Sequence, residues 1–217
     1  MAASVVEHVV LFKAKESASQ AALKACISRF RALAELEAVV YLHAGAIRTC
    51  QPEDGAWTHM LYGRYKDKAA LHAYAKHPAH VHAVALADPL FQDKMALDWE
   101  APAGGTPAPC PHIGNLFFAA VHIIFVQWMH HPHAPQLETT LCQALATSLP
   151  SSLISHTCGP NFSPDRARGF HWGFAALFST CSTPQEDGFL EILTQNLSIR
   201  SFLCIDFVTD NGISSRM

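Results

Sequence analysis

The sequence is poor in charge and contains no cluster of basic residues. Charged side chains make up 15% of the 217 residues, and 15 Lys and Arg against 18 Asp and Glu give a formal net charge of −3. Because proteins that track nucleic-acid phosphates concentrate Lys and Arg on one surface, no nucleic-acid partner is expected. Half of the residues are hydrophobic, which excludes wholesale disorder and predicts one large or two small packed domains.

Long apolar runs and paired cysteines are also missing. The most apolar segment, 116–126, contains His122 and falls well short of the ~20 residues that a membrane-spanning helix needs, so we interpret it as a buried strand and expect no membrane partner. Residues 1–7 lack the basic and apolar regions of a secretory signal. None of the seven cysteines forms a Cys-x-x-Cys pair. We therefore predict reduced thiols in an intracellular protein, and neither a metal nor another cofactor.

An uncharged stretch rich in Pro, Gly and Ala interrupts the chain near its middle. Such a composition favours neither a helix nor a central strand, which is typical of a linker. We predict a first domain over 1–100, a linker over 101–115, a second domain over 116–209 and a tail over 210–217.

The first half has the pattern β-α-β-β-α-β. Period-two and period-3.6 hydrophobic spacing predicts strands at 5–12, 37–47, 57–65 and 95–100 and helices at 17–36 and 66–74, with Pro78 opening a further short helix. The second half repeats this order: within the segments 122–126, 169–172 and 204–207, His122 corresponds to His8, His171 to His59 and Asp206 to Asp98. These matches favour a tandem duplication, and chance similarity of two apolar halves is the alternative.

A β-α-β-β-α-β unit is ferredoxin-like, with both helices on one face of its sheet. The other face needs a partner. We therefore predict an α+β fold in which two ferredoxin-like units form a dimeric-type α/β barrel, sheet against sheet, within one chain.

Two histidines lie on strands that this topology makes neighbours. Because strand side chains alternate between faces, each histidine belongs to one definite face. We expect His8 and His59 to share a single face, which is apolar and is interpreted as the inner one. The residues expected on it are Val6, Val10, Phe12, Trp57, Leu61 and Tyr65. The alternative is a pair of hydrogen-bonded, inert core histidines.

A second group of candidates surrounds a proline turn. Tyr74 lies one helical turn before His77, and His80 follows Pro78. A tyrosine hydroxyl and an imidazole at such a bend can point into one pocket, and histidine exchanges a proton near neutral pH. The alternative is a solvent-facing cluster at a helix end. The close histidines His130, His131 and His133 are interpreted as an exposed loop rather than a metal site.

The segments 7–12, 57–59 and 74–81 resemble the stress-response A/B barrel (Dabb) family of plants and bacteria, and together they span nearly all of 5–100. The His-Pro-Ala-His element at 77–80 is the most specific part. The second half lacks this element and is interpreted as a degenerate repeat. Family members usually complete their barrel by homodimerisation, so the resemblance implies either a monomer with an internal pseudo-dimer or a homodimer.

The resemblance implies two alternative functions. One is a stress-response protein whose barrel binds a small, partly apolar ligand, without established catalysis. The other is a cofactor-free polyketide cyclase or lyase that performs an intramolecular aldol reaction. In that case His80 would abstract a proton and Tyr74 would hydrogen-bond it or the substrate. His8 and His59 would orient a polar ligand head, and His77 is a further candidate for ligand binding. A haem-dependent relative ranks last, because no histidine is singled out as an axial ligand.

The last three residues, Ser215, Arg216 and Met217, resemble the small-basic-apolar tripeptide that directs import into peroxisomes. We predict a peroxisomal location, with the cytoplasm as the alternative. The last ten residues, appended to a fluorescent protein in plant cells, should give a punctate peroxisomal signal. The same fusion without the final three residues is the control, and a diffuse signal from the complete fusion would contradict the prediction.

Overall fold

The computed structural model describes residues 4–51, 57–102, 120–129, 135–147, 152–179, 186–196 and 199–208. The predicted targeting tripeptide 215–217, the histidines at 130, 131 and 133 and most of the predicted linker lie outside these ranges. The first unit contains strands β1 (Ser4–Ala14), β2 (Val39–Ala46), β3 (Thr49–Gln51), β4 (His59–Tyr65) and β5 (Phe91–Pro102), and helices α1 (Gln20–Ala32), α2 (Lys68–Lys76) and α3 (Pro78–Ala87). The second contains β6 (Ala120–Trp128), α4 (Pro135–Thr147), β7 (Leu153–Pro160), β8 (Trp172–Phe178), α5 (Glu186–Gln195) and β9 (Ile199–Val208).

Local capping explains where the helices of the first unit begin. The Ser19 hydroxyl accepts a hydrogen bond from the Ala22 N–H at 3.2 Å at the start of α1. The Asp67 carboxylate does the same for the Ala70 N–H at 2.7 Å at the start of α2. Such caps satisfy backbone donors that have no partner within the helix. Pro78 stands in the first turn of α3, as predicted.

Each unit builds an antiparallel sheet with ferredoxin-like strand order. The first sheet runs β2-β4-β1-β5, and the second runs β9-β6-β8-β7 with β3 of the first unit added at the β9 edge. The strand registers place His8 opposite Asp98 and His122 opposite Asp206. The same His–Asp pair at the same place in both sheets supports the predicted duplication.

The match of His59 to His171 is wrong by one residue. His59 lies opposite Phe12 in the first sheet, whereas the equivalent position opposite Val126 is Trp172. Because a one-residue shift moves a strand side chain to the other face, the second unit has no counterpart of His59.

The alternating side chains of β1 point into two different cores. Val9 and Leu11 belong to a core that also contains Ile123 of the second sheet, and we call this the inter-sheet core. Val6 and Phe12 belong to the core between the first sheet and its helices, which we call the helix-covered face. The two halves therefore pack sheet against sheet, and this part of the predicted fold is confirmed.

His8 belongs to the helix-covered face, so the interpretation of its face as the inner one between the sheets is wrong. Leu61 and Tyr65 lie on the same face, as predicted. Trp57 does not, because it packs in the inter-sheet core. The strand that contains His59 begins only at that residue, so the alternation assumed for Trp57 does not apply to it.

The two sheets do not close into a continuous barrel, which corrects that part of the prediction. Along one edge the three-residue strand β3 pairs with β9. Along the other edge a single bridge joins Trp99 of β5 to Asn161, just after β7. The sheets are thus stacked face to face and linked at both edges by short contacts rather than by full ladders.

A buried ion pair lies between the sheets. Arg64 donates to Glu7 through Nε at 2.9 Å, and both side chains are almost completely buried. The Thr157 hydroxyl of the second unit donates to the same Glu7 oxygen at 3.1 Å. A buried carboxylate needs such partners, since an unpaired charge in a protein interior is strongly destabilising.

Two cysteines are bonded, contrary to the expectation of reduced thiols. Cys142 on α4 and Cys158 on β7 form a disulfide, with their Cα atoms 6.4 Å apart. The helix packs on this strand and brings the two side chains within bonding range. Cys26, Cys50 and Cys204 retain reduced thiols. Within the described ranges, no helix combines the length and the hydropathy that crossing a membrane requires.

Trp99 is a large side chain that fits one unit onto the other. It is fully buried and lies over Gly159 and Gly173, which face each other on β7 and β8. A Cβ atom at Gly173 would stand 2.6 Å from Cε3 of the indole. The groove between the two glycines is therefore shaped for this ring.

We predict that Gly173→Ala lowers the free energy of unfolding by about 1–3 kcal/mol, because a methyl group overpacks the groove. The effect should shrink in a Trp99→Phe background, since the smaller ring leaves room for the methyl group. Urea unfolding of the two single variants and the double variant measures this coupling. Equal costs of Gly173→Ala in both backgrounds would show that the indole is not the obstacle.

Candidate functional site

A cavity of about 760 Å³ opens between the helix-covered face of the first sheet, α3 and a turn of the second unit. Its walls combine apolar side chains with a cluster of polar side chains at one end. Side chains of the sheet and helices that line it include Val10, Phe12, Phe30, Leu61, Val84 and Phe91. The polar lining includes His8, Tyr74, His80, Asp93, Lys94, Asp165, Arg166 and Arg168.

Tyr74 and His80 are brought together by the bend between α2 and α3. Their ring centroids are 4.5 Å apart. The Nδ1 atom of His80 lies 3.0 Å from the Ala75 carbonyl oxygen. Since a carbonyl only accepts hydrogen bonds, Nδ1 carries the proton and Nε2 is the acceptor in the neutral ring. Burial lowers the pKa of His80, which favours this neutral form near pH 7.

The Tyr74 hydroxyl is a protonated donor under ordinary conditions. The side chain is almost fully buried, and its ring centroid is 5.0 Å from that of Tyr65. Burial raises the pKa of Tyr74 to about 12, with the Tyr65 hydroxyl acting in the opposite direction. Tyr74 therefore keeps its proton near neutral pH and does not act as a base, and its hydroxyl oxygen is buried.

His8 enters the cavity from β1 and is held from behind by Asp98. Its Nδ1 lies 2.5 Å from Oδ1 of Asp98 on the neighbouring strand β5. Oδ2 of the same carboxylate accepts hydrogen bonds from Ser163, at 2.5 Å, and from Arg166. Burial alone would raise the pKa of Asp98, but His8, Ser163 and Arg166 together hold it below its usual value.

His59 and His77, both predicted as ligand-binding, are not among the residues that line the cavity. His59 is half-buried, its Nδ1 lies 2.9 Å from the Thr58 hydroxyl oxygen, and its ring packs against Phe91 with centroids 5.8 Å apart. It thus stands behind a cavity wall. His77 is exposed and caps α3, because its Nδ1 accepts a hydrogen bond from the Ala79 N–H at 3.2 Å.

Three polar residues of the cavity that the sequence did not predict come from the second unit. Asp165, Arg166 and Arg168 lie on the turn between β7 and β8 and line the cavity mouth. The two arginines are paired across the mouth: Arg166 with Asp98, and Arg168 with Asp93. The sequence contained one indication of these partners. Asp98 is a carboxylate within an apolar strand and recurs as Asp206, and a buried carboxylate needs hydrogen-bonding or charged partners.

Within the described ranges no group of three or more His, Cys, Asp or Glu side chains is arranged to hold a metal ion. The chemistry that the site offers is that of two imidazoles, one phenol and the carboxylate that supports His8.

Residues 6–101 match the family described as Stress responsive A/B Barrel Domain. The chain is also 33% identical over 180 residues to a stress-response A/B barrel domain-containing protein of Arabidopsis thaliana, and the alignment covers 82% of this chain. The chain belongs to the stress-response A/B barrel domain family. This confirms the resemblance noted in the sequence. The aligned region spans 66% of the length of that Arabidopsis relative.

Other comparisons extend the similarity to both units. A second stress-response A/B barrel domain-containing protein of Arabidopsis thaliana is 27% identical over 212 residues, covering 95% of this chain and 93% of its own length. A solved structure from Fusobacterium nucleatum, described as that of a candidate monooxygenase, aligns with 96% of this chain and 93% of its own at 12% identity, with a TM-score of 0.55. At that identity the likeness shows the two-unit fold alone.

We predict that the tyrosines resist ionisation while the protein is folded. All four, Tyr41, Tyr62, Tyr65 and Tyr74, have a pKa that burial raises. The unfolded chain therefore loses these protons first, and stability falls above about pH 10 by about 1.4 kcal/mol per pH unit for each tyrosine. Absorbance at 295 nm should show no tyrosinate before alkaline unfolding begins, whereas the denatured control titrates near pH 10. A folded-state titration near that value would contradict the prediction.

Proposed function

We propose that the protein binds a small, partly apolar molecule in the cavity of the first unit. The observation that carries this proposal is the convergence of His8, Tyr74 and His80 at one end of a 760 Å³ cavity with otherwise largely apolar walls. Small-molecule sites have volumes of roughly 300–1,000 Å³ and combine apolar walls with a few polar groups that fix orientation. A ligand with an apolar body and an oxygen-bearing end matches this arrangement.

The polar end has a defined hydrogen-bonding pattern. In its neutral form His80 offers Nε2 as an acceptor, because Nδ1 is bonded to the Ala75 carbonyl. Tyr74 offers a hydroxyl donor. Both groups are partly or fully removed from water, so a hydrogen bond to a ligand is stronger here than at an exposed surface.

We predict that Val84→Trp blocks the cavity. Val84 lies on α3 and lines the cavity, whereas Val81 on the same helix is 55% exposed and does not line it. Untargeted mass spectrometry of metabolites that co-purify with the protein should find a compound retained by the native chain and by Val81→Trp but lost from Val84→Trp. A compound retained equally by all three variants would place binding elsewhere.

A second candidate function is the intramolecular aldol closure of a β-polyketide, and the specific observation that favours it is the contact of Tyr74 with His80. Nε2 of His80 would take a proton from the carbon between two carbonyl groups, and Tyr74 would donate a hydrogen bond to the enolate oxygen. The enolate carbon would then attack a distant ketone carbon of the same chain. The new alkoxide would recover the proton from the His80 imidazolium, which restores the enzyme.

His80→Ala should reduce turnover of a β-polyketide substrate by about 10²–10⁴-fold, the usual contribution of a positioned base. His171→Ala is the matched control, because His171 accepts the Trp128 N–H in the second unit and does not line the cavity. The rate should rise with pH through the lowered pKa of His80 and then remain constant, since the base must be neutral. Equal losses in both variants, with folding verified by circular dichroism, would contradict a role for His80. If the native protein were inactive on a broad panel of β-polyketide substrates, the cyclase function would be contradicted and ligand binding without catalysis would remain.

A further inference from the structure

Asp98 belongs to the first unit but is held mainly by the second. Its side chain is completely buried. One carboxylate oxygen contacts His8, and the other accepts hydrogen bonds from Ser163 and Arg166. Its backbone N–H donates to the Asn161 side chain at 3.1 Å. The polar groups of this one residue are therefore largely satisfied from the connection between β7 and β8.

This connection determines what His8 presents to the cavity. Because a carboxylate accepts hydrogen bonds, its contact with Nδ1 places the proton on that nitrogen. Nε2 is then the ring nitrogen left for a ligand. If Asp98 turned away, either nitrogen of His8 would be able to carry the proton, and the polarity of this part of the site would no longer be defined.

Residues of the first unit likewise hold an aspartate of the second unit. In the second unit His122 Nδ1 lies 2.6 Å from Asp206, and Thr49 of the first unit donates to that carboxylate at 2.6 Å. The backbone N–H of Arg48 donates to the Asp206 carbonyl oxygen at 2.8 Å. Each unit thus holds the aspartate behind the other unit's histidine, so the contact at Asp98 is part of how the units join.

We propose that the second unit is a positioning element of the cavity: Ser163 and Arg166, acting through Asp98, set which nitrogen of the neutral His8 ring carries the proton. The half described as a degenerate repeat therefore does more than cover an apolar sheet face. Only the binding of a ligand by His8 depends on the proposed function of the cavity. The state of His8 is measurable without any ligand.

The test is histidine NMR spectroscopy of the full, ligand-free chain at mildly alkaline pH. Long-range ¹H–¹⁵N correlations distinguish the two neutral forms of imidazole, and the His8 signals are assigned by their loss in His8→Asn. The native protein should show His8 protonated at Nδ1. In Arg166→Gln a second population protonated at Nε2 should appear, because Asp98 loses one of the two side chains that hold it against Nδ1. Ser163→Ala, which removes only a neutral donor, should show the same change to a smaller extent.

Arg168→Gln is the matched control. It removes the same charge from the same turn and the same cavity mouth, but Arg168 pairs with Asp93 rather than Asp98. Its His8 signals should equal those of the native protein. Thr49→Val should change the signals of His122 and leave those of His8 unchanged.

Three results would overturn the proposal: a native His8 protonated at Nε2, equal populations of the two neutral forms of His8 in Arg166→Gln and the native protein, or equal changes of these populations in Arg166→Gln and Arg168→Gln. If Arg166→Gln did not fold, an unchanged His8 in Ser163→Ala would count against it. Absence of a bound metabolite would contradict the proposed function while leaving this result intact.

Discussion

Both sheets of the protein are apolar on both faces, but helices cover only one face of each. This constraint governs the rest of the structure. An apolar sheet face has to be buried against another layer, and each unit provides the layer that the other needs. The fit is specific rather than merely hydrophobic: Trp99 occupies a groove floored by two glycines, and Glu7 is satisfied by Arg64 from its own sheet and by Thr157 from the other.

Stacking the sheets also brings their edges together, and the edges carry the features that connect fold to site. After the second strand of each unit, a short segment crosses to the last strand of the other unit. There it meets Asp98 in one case and Asp206 in the other. A buried carboxylate is tolerated only with hydrogen-bonding or charged partners, so these crossings both join the units and orient the histidines in front of the carboxylates.

Local patterns predicted much of the candidate site. Strand alternation assigned His8 to the face it occupies, and the proline between α2 and α3 indicated the bend that brings Tyr74 to His80. Where the patterns failed, the cause was a local departure from regular strand or helix geometry. His171 and Trp57 each lie outside the strand whose alternation was extended to them, and His77 turns outward because its ring nitrogen caps α3. The disulfide was missed because spacing along the chain does not reveal that a helix packs Cys142 over Cys158.

The sequence by itself determined the β-α-β-β-α-β order, its duplication and the pairing of the two units, because hydrophobic periodicity and turn residues act over a few neighbouring positions. Only the tertiary structure decided that the cavity lies on the helix-covered face, that the sheets remain separate, and that Ser163 and Arg166 stand behind His8. These contacts join residues more than sixty positions apart. They depend on the relative placement of two packed sheets, and no local pattern in the chain encodes that placement.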